Sequence, residues 1–471
     1  MELRPELLSE IDTWITENQA DLIADILDAV RIRSVVESPT PGHPYGDGCA
    51  AMLDHFCALS QRYGFSVQNY DYHCASGLLK GAGGAGEIGI WSHTDVVPEG
   101  EGWTYAPYDP VVKDGYIIGR GANDNKGPAI AALYAMRFLR ERGKALRHDV
   151  KLFFGSSEET GMSDIVYYGQ NYSFSDFSLV PDAWFPVCIA EKGILRLAVS
   201  CPVEAGPLMA FTGGSASNIV PNRAQAVLSN LSPSAAKELA EFDGIEVQHN
   251  CELTVVTACG IGKHAARPEG SINAAARLAH ALLTYVTFPP SMTSALETLF
   301  STCTDYYGAG LGYSWEDKCS GKLTHILGLA ALKGGRLNLD YNIRYPVTAD
   351  RTAMLAAFRQ TLAHGGFMLE RLEDDPPTGL HPENPVVKLL CNTVDEVLGT
   401  SSEPYSMGGG TYARKLPYAV AFGPHRFDCP CTLFPTGRGD AHQPDECINI
   451  QLLLDAVKIY ILSLLRLDQA L

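Results

Sequence analysis

The sequence predicts an α/β protein: a mainly parallel sheet with helices on both faces, interrupted by an α+β domain. Three observations predict it. From the loop SPTPGHPYGDG to about Gly193, apolar runs that end in polar residues alternate with helical patterns, as in EIGIWSHTDVV and VKLFFGSSEETG. Such continuous apolar runs mark strands buried on both faces, the habit of parallel sheets whose crossover helices cover them. After EKG (Glu191–Gly193) the texture changes and a strand and helix pattern recurs twice. DDPPTG (Asp374–Gly379) then reads as a linker, and the last 90 or so residues return to strand, glycine loop and helix patterns. The expected division is 1–193 with 380–471 as one domain and 194–379 as the other.

The elements follow in order. The stretch from Pro5 to Arg33 is helical in pattern and is followed by the loop SPTPGHPYGDG. EIGIWSHTDVV is a buried strand ending in polar residues. GPAIAALYAMRFLRERG is a helix with Pro128 in its first turn, where proline is tolerated. VKLFFGSSEETG is a second buried strand running into a loop. In the interrupting domain one pass reads SPSAAKELAEF, IEVQHNCELTVVTACG and SINAAARLAHALLTYV. The other reads RLNLDYNIRYPV, ADRTAMLAAFRQTLAHGG and FMLERLE. RLNLDYNIRYP alternates strictly, with Leu337, Leu339, Tyr341 and Ile343 on one face and Asn338, Asp340, Asn342 and Arg344 on the other, which predicts a half-buried strand. The plain alternative for Arg344 is a local pair with Asp340 on the same face.

Composition excludes several function classes. The 471 residues carry a formal charge of −18, the reverse of the basic stripe a nucleic-acid surface needs. Hydrophobic content of 46% with 19% charged residues is that of a globular protein. No apolar run reaches the ~18 residues of a membrane helix. MELRPELLSEIDTW lacks a basic start followed by an apolar core, so no secretory signal is expected. Thirteen cysteines without a CxxC pair read as reduced thiols of a cytoplasmic protein. GPHRFDCPC offers only three soft ligands and reads as a loop with ordinary thiols. GAGGAG at Gly81 lacks the Lys-Ser/Thr of a phosphate loop, and no GxSxG elbow is present.

The chemistry-bearing candidates lie at strand ends. His93 and Asp95 sit in WSHTDVV, Asp124 in GRGANDNKGP before a helix, Glu158 and Glu159 in SSEETG, Asp182 in VPDAWF, and His442 far away in GRGDAHQPDE. Residues two apart on a strand share a face, so Asp95 can approach and orient the imidazole of His93. Each group has a plain reading: Asp before a helix is ordinarily a cap, adjacent glutamates a solvated face, and a lone histidine a surface or core residue. Their joint recurrence at the ends of apolar strands favours a metal site instead, because imidazole and carboxylate are the mixture that zinc, manganese or cobalt accepts.

The run WSHTDVVPEGEGWTYAPYDPVVKDGYIIGRGANDNKGP, with SSEETG, PDAWFPVCIAEKG, FTGGSASNIVPNRA, GKHAARPEGSINAA, NIRYP, MGGGTYARKLP and GRGDAHQPDE, resembles the dinuclear metallopeptidase family of aminoacylase, carboxypeptidase G and dipeptidases. The blocks after EKG, GGGTYAR above all, are most similar to the PepV-type dipeptidase branch. The resemblance implies a catalytic domain (1–193 and 380–471) interrupted by a lid domain (194–379), and two divalent ions, Zn²⁺ or Mn²⁺. It implies that Asp124 bridges the ions, that His93 and Asp182 complete one shell, and that Glu159 and His442 complete the other. Glu158 would be the general base that activates a metal-bound water, with Asp95 the partner of His93. His264 and Arg344 would touch substrate from the lid, and Asn218 with Gly408, Gly409 and Gly410 would line the pocket. A cis peptide bond is implied after Asp124. One departure is visible: the branch usually carries a second Asp where this chain has Asn125. The implied activity is hydrolysis of dipeptides or short peptides by a cytoplasmic monomer that binds neither nucleic acid nor membrane. An N-acyl-amino-acid amidohydrolase and a catalytically silent peptide-binding homologue are the alternatives.

Overall fold

The structure is a computed structural model and describes residues 5–250 and 252–471. The chain forms two compact units. One runs to Ile189 and includes Gly379–Tyr405 and Gly410–Leu471; the other comprises Ala190–Thr378 and Ser406–Gly409.

The first unit is built on a sheet whose centre is parallel. Its strands run in the order Asp149–Gly155, Glu87–His93, Phe177–Val180 and Ala419–Ala421. His93 stands opposite Gly155, so both polar strand ends finish on the same edge. That edge is where open parallel sheets place their chemistry. The flanks are antiparallel: the hairpin Ser66–Tyr70 and Cys74–Leu79 extends the sheet on one side, and Cys188 pairs with Ala421 on the other. Helices cover both faces. Tyr168 from the helix Ser163–Asn171 packs edge-on against Trp91 and Phe153, which stack at 4.0 Å. On the opposite face, Gly77 lies against Ser60 of the helix Asp47–Arg62.

The helix Lys126–Glu141 carries Pro128 in its first turn, as its sequence predicts, and is buried without interruption from Lys126 to Met136. It is rich in alanine because neighbours press on it closely, and Gly127 marks the tightest point. A side chain at Gly127 would lie 2.2 Å from the Ala122 carbonyl oxygen. The C-terminal helix Ile450–Ala470 packs along it. A small antiparallel sheet of Cys447–Asn449, Tyr116–Ile118 and Val111–Lys113 ties the end of GRGDAHQPDE to the segment leading into GRGAND. No described helix is long and apolar enough to cross a membrane.

The second unit is an antiparallel sheet of eight strands, in the order Ile245–His249, Leu253–Cys259, Arg223–Ser229, Leu208–Gly213, Thr324–Lys333, Arg336–Tyr345, Gly193–Pro202 and Met368–Asp375. The helices Ala274–Tyr285, Pro290–Ser301 and Arg351–His364 share its apolar core. Helix starts follow their sequence signals: Ser232, Asn273 and Asp350 each accept backbone N–H groups of the first turn.

One expectation needs correction. Arg336–Tyr345 alternates only as far as Tyr341, and the strand is buried on both faces from there to Tyr345. Asn342 and Arg344 are therefore interior residues, not members of a solvated face. The local pair with Asp340 does not form either, since Asp340 faces Arg371 at 3.7 Å.

Candidate metal centre

His93 ends its strand, and its imidazole is buried. Its Nδ1 lies 3.0 Å from the Asp95 carbonyl oxygen, which can only accept, so Nδ1 carries the proton and Nε2 is left with its lone pair. Nε2 faces Asp124 Oδ1 at 2.9 Å and Asp182 Oδ2 at 3.8 Å. Across the group, His442 Nε2 stands 3.1 Å from Asp124 Oδ2 and 2.8 Å from Glu159 Oε1. Asp124 thus presents one oxygen to each imidazole. The five groups come from three strand ends, the turn before the helix Lys126–Glu141 and a distant loop, where His442 adopts a positive φ of 66°.

Asp95 lies beside His93, as the two-residue spacing predicts. Its carboxylate is 3.4 Å from His93 Nδ1, farther than its own backbone carbonyl. Its two oxygens also accept the backbone N–H groups of Glu158 (3.2 Å) and Glu159 (3.1 Å). Asp95 is buried and anchors the turn that carries both glutamates. The plain readings of the other acids also give way. Asp124 is not a helix cap: Asn125 occupies that position, and its side chain makes no cap bond. The peptide bond between Asp124 and Asn125 is cis, as the resemblance implies. Glu158 and Glu159 are half-buried rather than solvated.

Burial pushes the Glu158 carboxyl well above the ordinary carboxylate range; Asp182 and Glu159 add to this, and His93 opposes it. Burial acts on Asp124 in the same sense, but the imidazoles of His442 and His93 outweigh it and hold its carboxyl far below that range. For His442, burial works against the charge, yet the contacts with Asp124 and Glu159 push it up to about 11. Carboxylates gathered this closely need positive charge beside them, which imidazolium or a bound cation supplies.

The donor set fits a divalent metal. His93, Asp124 and Glu159 each offer one ligand atom, all within 4.8 Å of one another. His93 Nε2 and Asp124 Oδ1 are buried and near each other but make no hydrogen bond. Two buried polar atoms that converge without bonding are aimed at a shared third partner. Nitrogen and carboxylate donors suit zinc or manganese.

The remaining predicted residues gather in the second unit, apart from Gly410. Ile219 bridges His264, and the Asn218 carbonyl accepts from Ala265 at 2.9 Å. His264 is exposed, and its Nδ1 accepts from Ala266 N at 3.2 Å. Gly408 lies against Ala266 so closely that a side chain there would be 2.9 Å from the Ala266 Cβ. Its carbonyl accepts from Arg344 Nη1 at 2.9 Å, while Arg344 Nε donates to Asn342 Oδ1 at 2.8 Å. Gly408 and Gly409 belong to this unit, and Gly410 to the first. Sequence reasoning missed Arg120 and Glu446, which brace Asp124. An acid four residues after His442, in a run as polar as DAHQPDE, gives no sign that it is buried.

An α/β sheet with imidazole and carboxylates converging at its strand ends defines a candidate metallohydrolase. The chain belongs to peptidase family M20/M25/M40, whose profile matches residues 89–466. It is 32% identical over 469 residues to "Putative dipeptidase YtjP" of Bacillus subtilis (strain 168), covering 95% of this chain and 97% of that one. Among solved structures, human carnosine dipeptidase 1 superposes with a TM-score of 0.60 at 15% identity, covering 99% of this chain and 100% of that one. The di-peptidase Dug1p of Saccharomyces cerevisiae superposes with a TM-score of 0.59 at 13% identity, covering 98% of each chain. At those identities the two structures speak for the fold alone.

Proposed function

We propose that this peptidase hydrolyses dipeptides or short peptides with the help of two divalent ions, Zn²⁺ or Mn²⁺. The observation that carries the reading is Asp124 set between two imidazoles, with one oxygen 2.9 Å from His93 and the other 3.1 Å from His442. Such a carboxylate suits a bridge. Asp182 would join His93 on one side, and Glu159 would join His442 on the other. The names of relatives support dipeptides as the substrate class: relatives in Bacillus and Staphylococcus, matched over 97% of their length, carry the name "Putative dipeptidase". A solved relative from Bacillus subtilis is titled a dinuclear metal binding peptidase.

When bound, the ions would neutralise the four carboxylates and supply Lewis acidity for the scissile carbonyl. The chain's own groups do the rest. Glu158, whose burial raises its proton affinity, would in its ionised form take the proton of the attacking water and then pass it to the leaving amine nitrogen. Asp95 holds the turn that aims Glu158. His264 would donate to the developing oxyanion. Asn218 and the glycines Gly408, Gly409 and Gly410 would line the pocket. Arg344, its guanidinium oriented by Asn342 and the Gly408 carbonyl, would pair with the substrate's free carboxylate. The proposed enzyme is a cytoplasmic monomer, and light scattering on a size-exclusion column checks the second point.

The test is hydrolysis of a dipeptide panel beside N-acetyl amino acids, with and without added metal. Turnover of dipeptides alone supports the reading, turnover of the N-acyl compounds alone points to an amidohydrolase, and no turnover points to a silent binder. Arg344→Ala is expected to cost about 2–5 kcal/mol in kcat/KM for dipeptides, the range for truncating one side of a buried charged pair. The same variant should no longer distinguish a dipeptide from its C-terminal amide while still binding metal. Unchanged discrimination between the two substrates would remove Arg344 from the carboxylate site.

A further inference from the structure

Glu446 is a wholly buried carboxylate to which the chemistry above gives no task. Its Oε1 accepts three backbone N–H groups from one turn: Gly121 at 2.9 Å, Asn123 at 3.1 Å and Asp124 at 3.1 Å. Its Oε2 pairs with Arg120, itself buried. Its backbone carbonyl accepts from Gly119 N at 2.8 Å. Every link runs into the segment Gly119–Asp124, and one of them ends on the amide of Asp124 itself. Glu446 also lies four residues after His442. One side chain therefore joins the two segments that bring Asp124 and His442 together.

The turn needs such a partner. It winds through positive φ at Gly119 (159°) and Gly121 (88°), so its amides converge as an anion-binding nest rather than entering a helix or sheet ladder. An ionised acceptor bonds such donors about twice as strongly as a neutral one. Burying a carboxylate is costly unless it is paired and fully hydrogen-bonded, and here it is both. The neighbouring Asp445 offers a built-in contrast. It is equally buried and accepts Thr104 N at 2.7 Å and Tyr105 N at 3.0 Å, with Arg438 on its other oxygen. It braces a different loop, the one at Thr104 and Tyr105.

We propose that Glu446, backed by Arg120, is a positioning residue that fixes Asp124 relative to His442 and so sets the affinity for the ion those two share. The inference rests on the metal reading of the site and adds to it a residue outside the ligand set. The effect expected is on metal binding rather than on the chemical step, since Glu446 lies behind the Asp124 amide and not beside its carboxylate.

The test is calorimetric titration of metal-free protein with Zn²⁺ or Mn²⁺, alongside kcat and KM at each metal concentration. Glu446→Gln keeps the size of the side chain but not the charge. It should weaken the ion that Asp124 and His442 share about 10–100-fold, the usual cost of losing a partner behind a ligand. At saturating metal, its kcat should return to within about threefold of wild type. Asp445→Asn should lower thermal stability without changing metal affinity. If Glu446→Gln does not fold with Arg120 left unpaired, Arg120→Met with Glu446→Gln removes both buried charges and takes the same titration. Wild-type metal affinity in the Glu446 variant, or a kcat that excess metal does not restore, overturns the proposal. A wild-type protein that takes up no metal would instead overturn the metal reading of the whole site, so the two failures are distinguishable.

Discussion

Glu158→Gln is expected to keep its metal and lose about 10²–10⁴-fold in turnover, the range for removing a positioned general base. The carboxylate is surrounded by Asp182, Glu159 and His93, and burial raises its proton affinity. A carboxyl so placed can hold a proton in transit between water and the leaving nitrogen. The amide of glutamine has the same shape but cannot accept that proton. Glu159→Gln should behave differently. Its Oε1 is 2.8 Å from His442 Nε2, among the ligand atoms, so its loss should show first as weaker metal binding. The pair of variants is read by metal content and by kcat at saturating metal. Exchanged phenotypes would reverse the assignment of the two glutamates.

Chelation should abolish peptide hydrolysis and lower the unfolding temperature of the first unit. Ions bound by the folded state alone stabilise it by RT ln(1 + [L]/Kd), about 4 kcal/mol at a thousandfold excess over Kd. For a unit of this size that is a fall on the order of 10 °C. The loss also has an electrostatic origin: without cations the crowded carboxylates repel one another, and burial with that repulsion raises the proton affinity of Glu158 and Glu159. Differential scanning calorimetry before and after chelation, then after re-addition of metal, measures both parts. An unchanged transition with full activity after demonstrable metal removal would rule out a metal at this site.

Much of the fold is visible in local pattern. IGIWSH and KLFFG read as buried strands because their apolar runs have no polar side, and they form the parallel centre of the first sheet. The polar ends of those runs mark the catalytic edge for the same reason: nothing apolar remains to bury. Arg344 shows where pattern stops. Alternation assigns its face correctly but does not reveal what covers that face, and here Asn342 and the Gly408 loop do. Asp95 shows a second limit. A two-residue spacing places it near His93 but does not show that its carboxylate also accepts the amides of Glu158 and Glu159. Glu446 is a third case, because its burial depends on contacts more than 300 residues away in sequence. The assignment of ligands to particular ions came from the family resemblance, not from periodicity or spacing.

The central claim is that His93, Asp124, Glu159, Asp182 and His442 hold two ions that peptide hydrolysis requires. Stepwise return of Zn²⁺ or Mn²⁺ to metal-free protein, with bound metal and dipeptide turnover measured on the same samples, tests it most directly. Turnover should be absent at zero metal and reach its plateau at two ions per chain. Full turnover with one ion per chain, or with none, would contradict it.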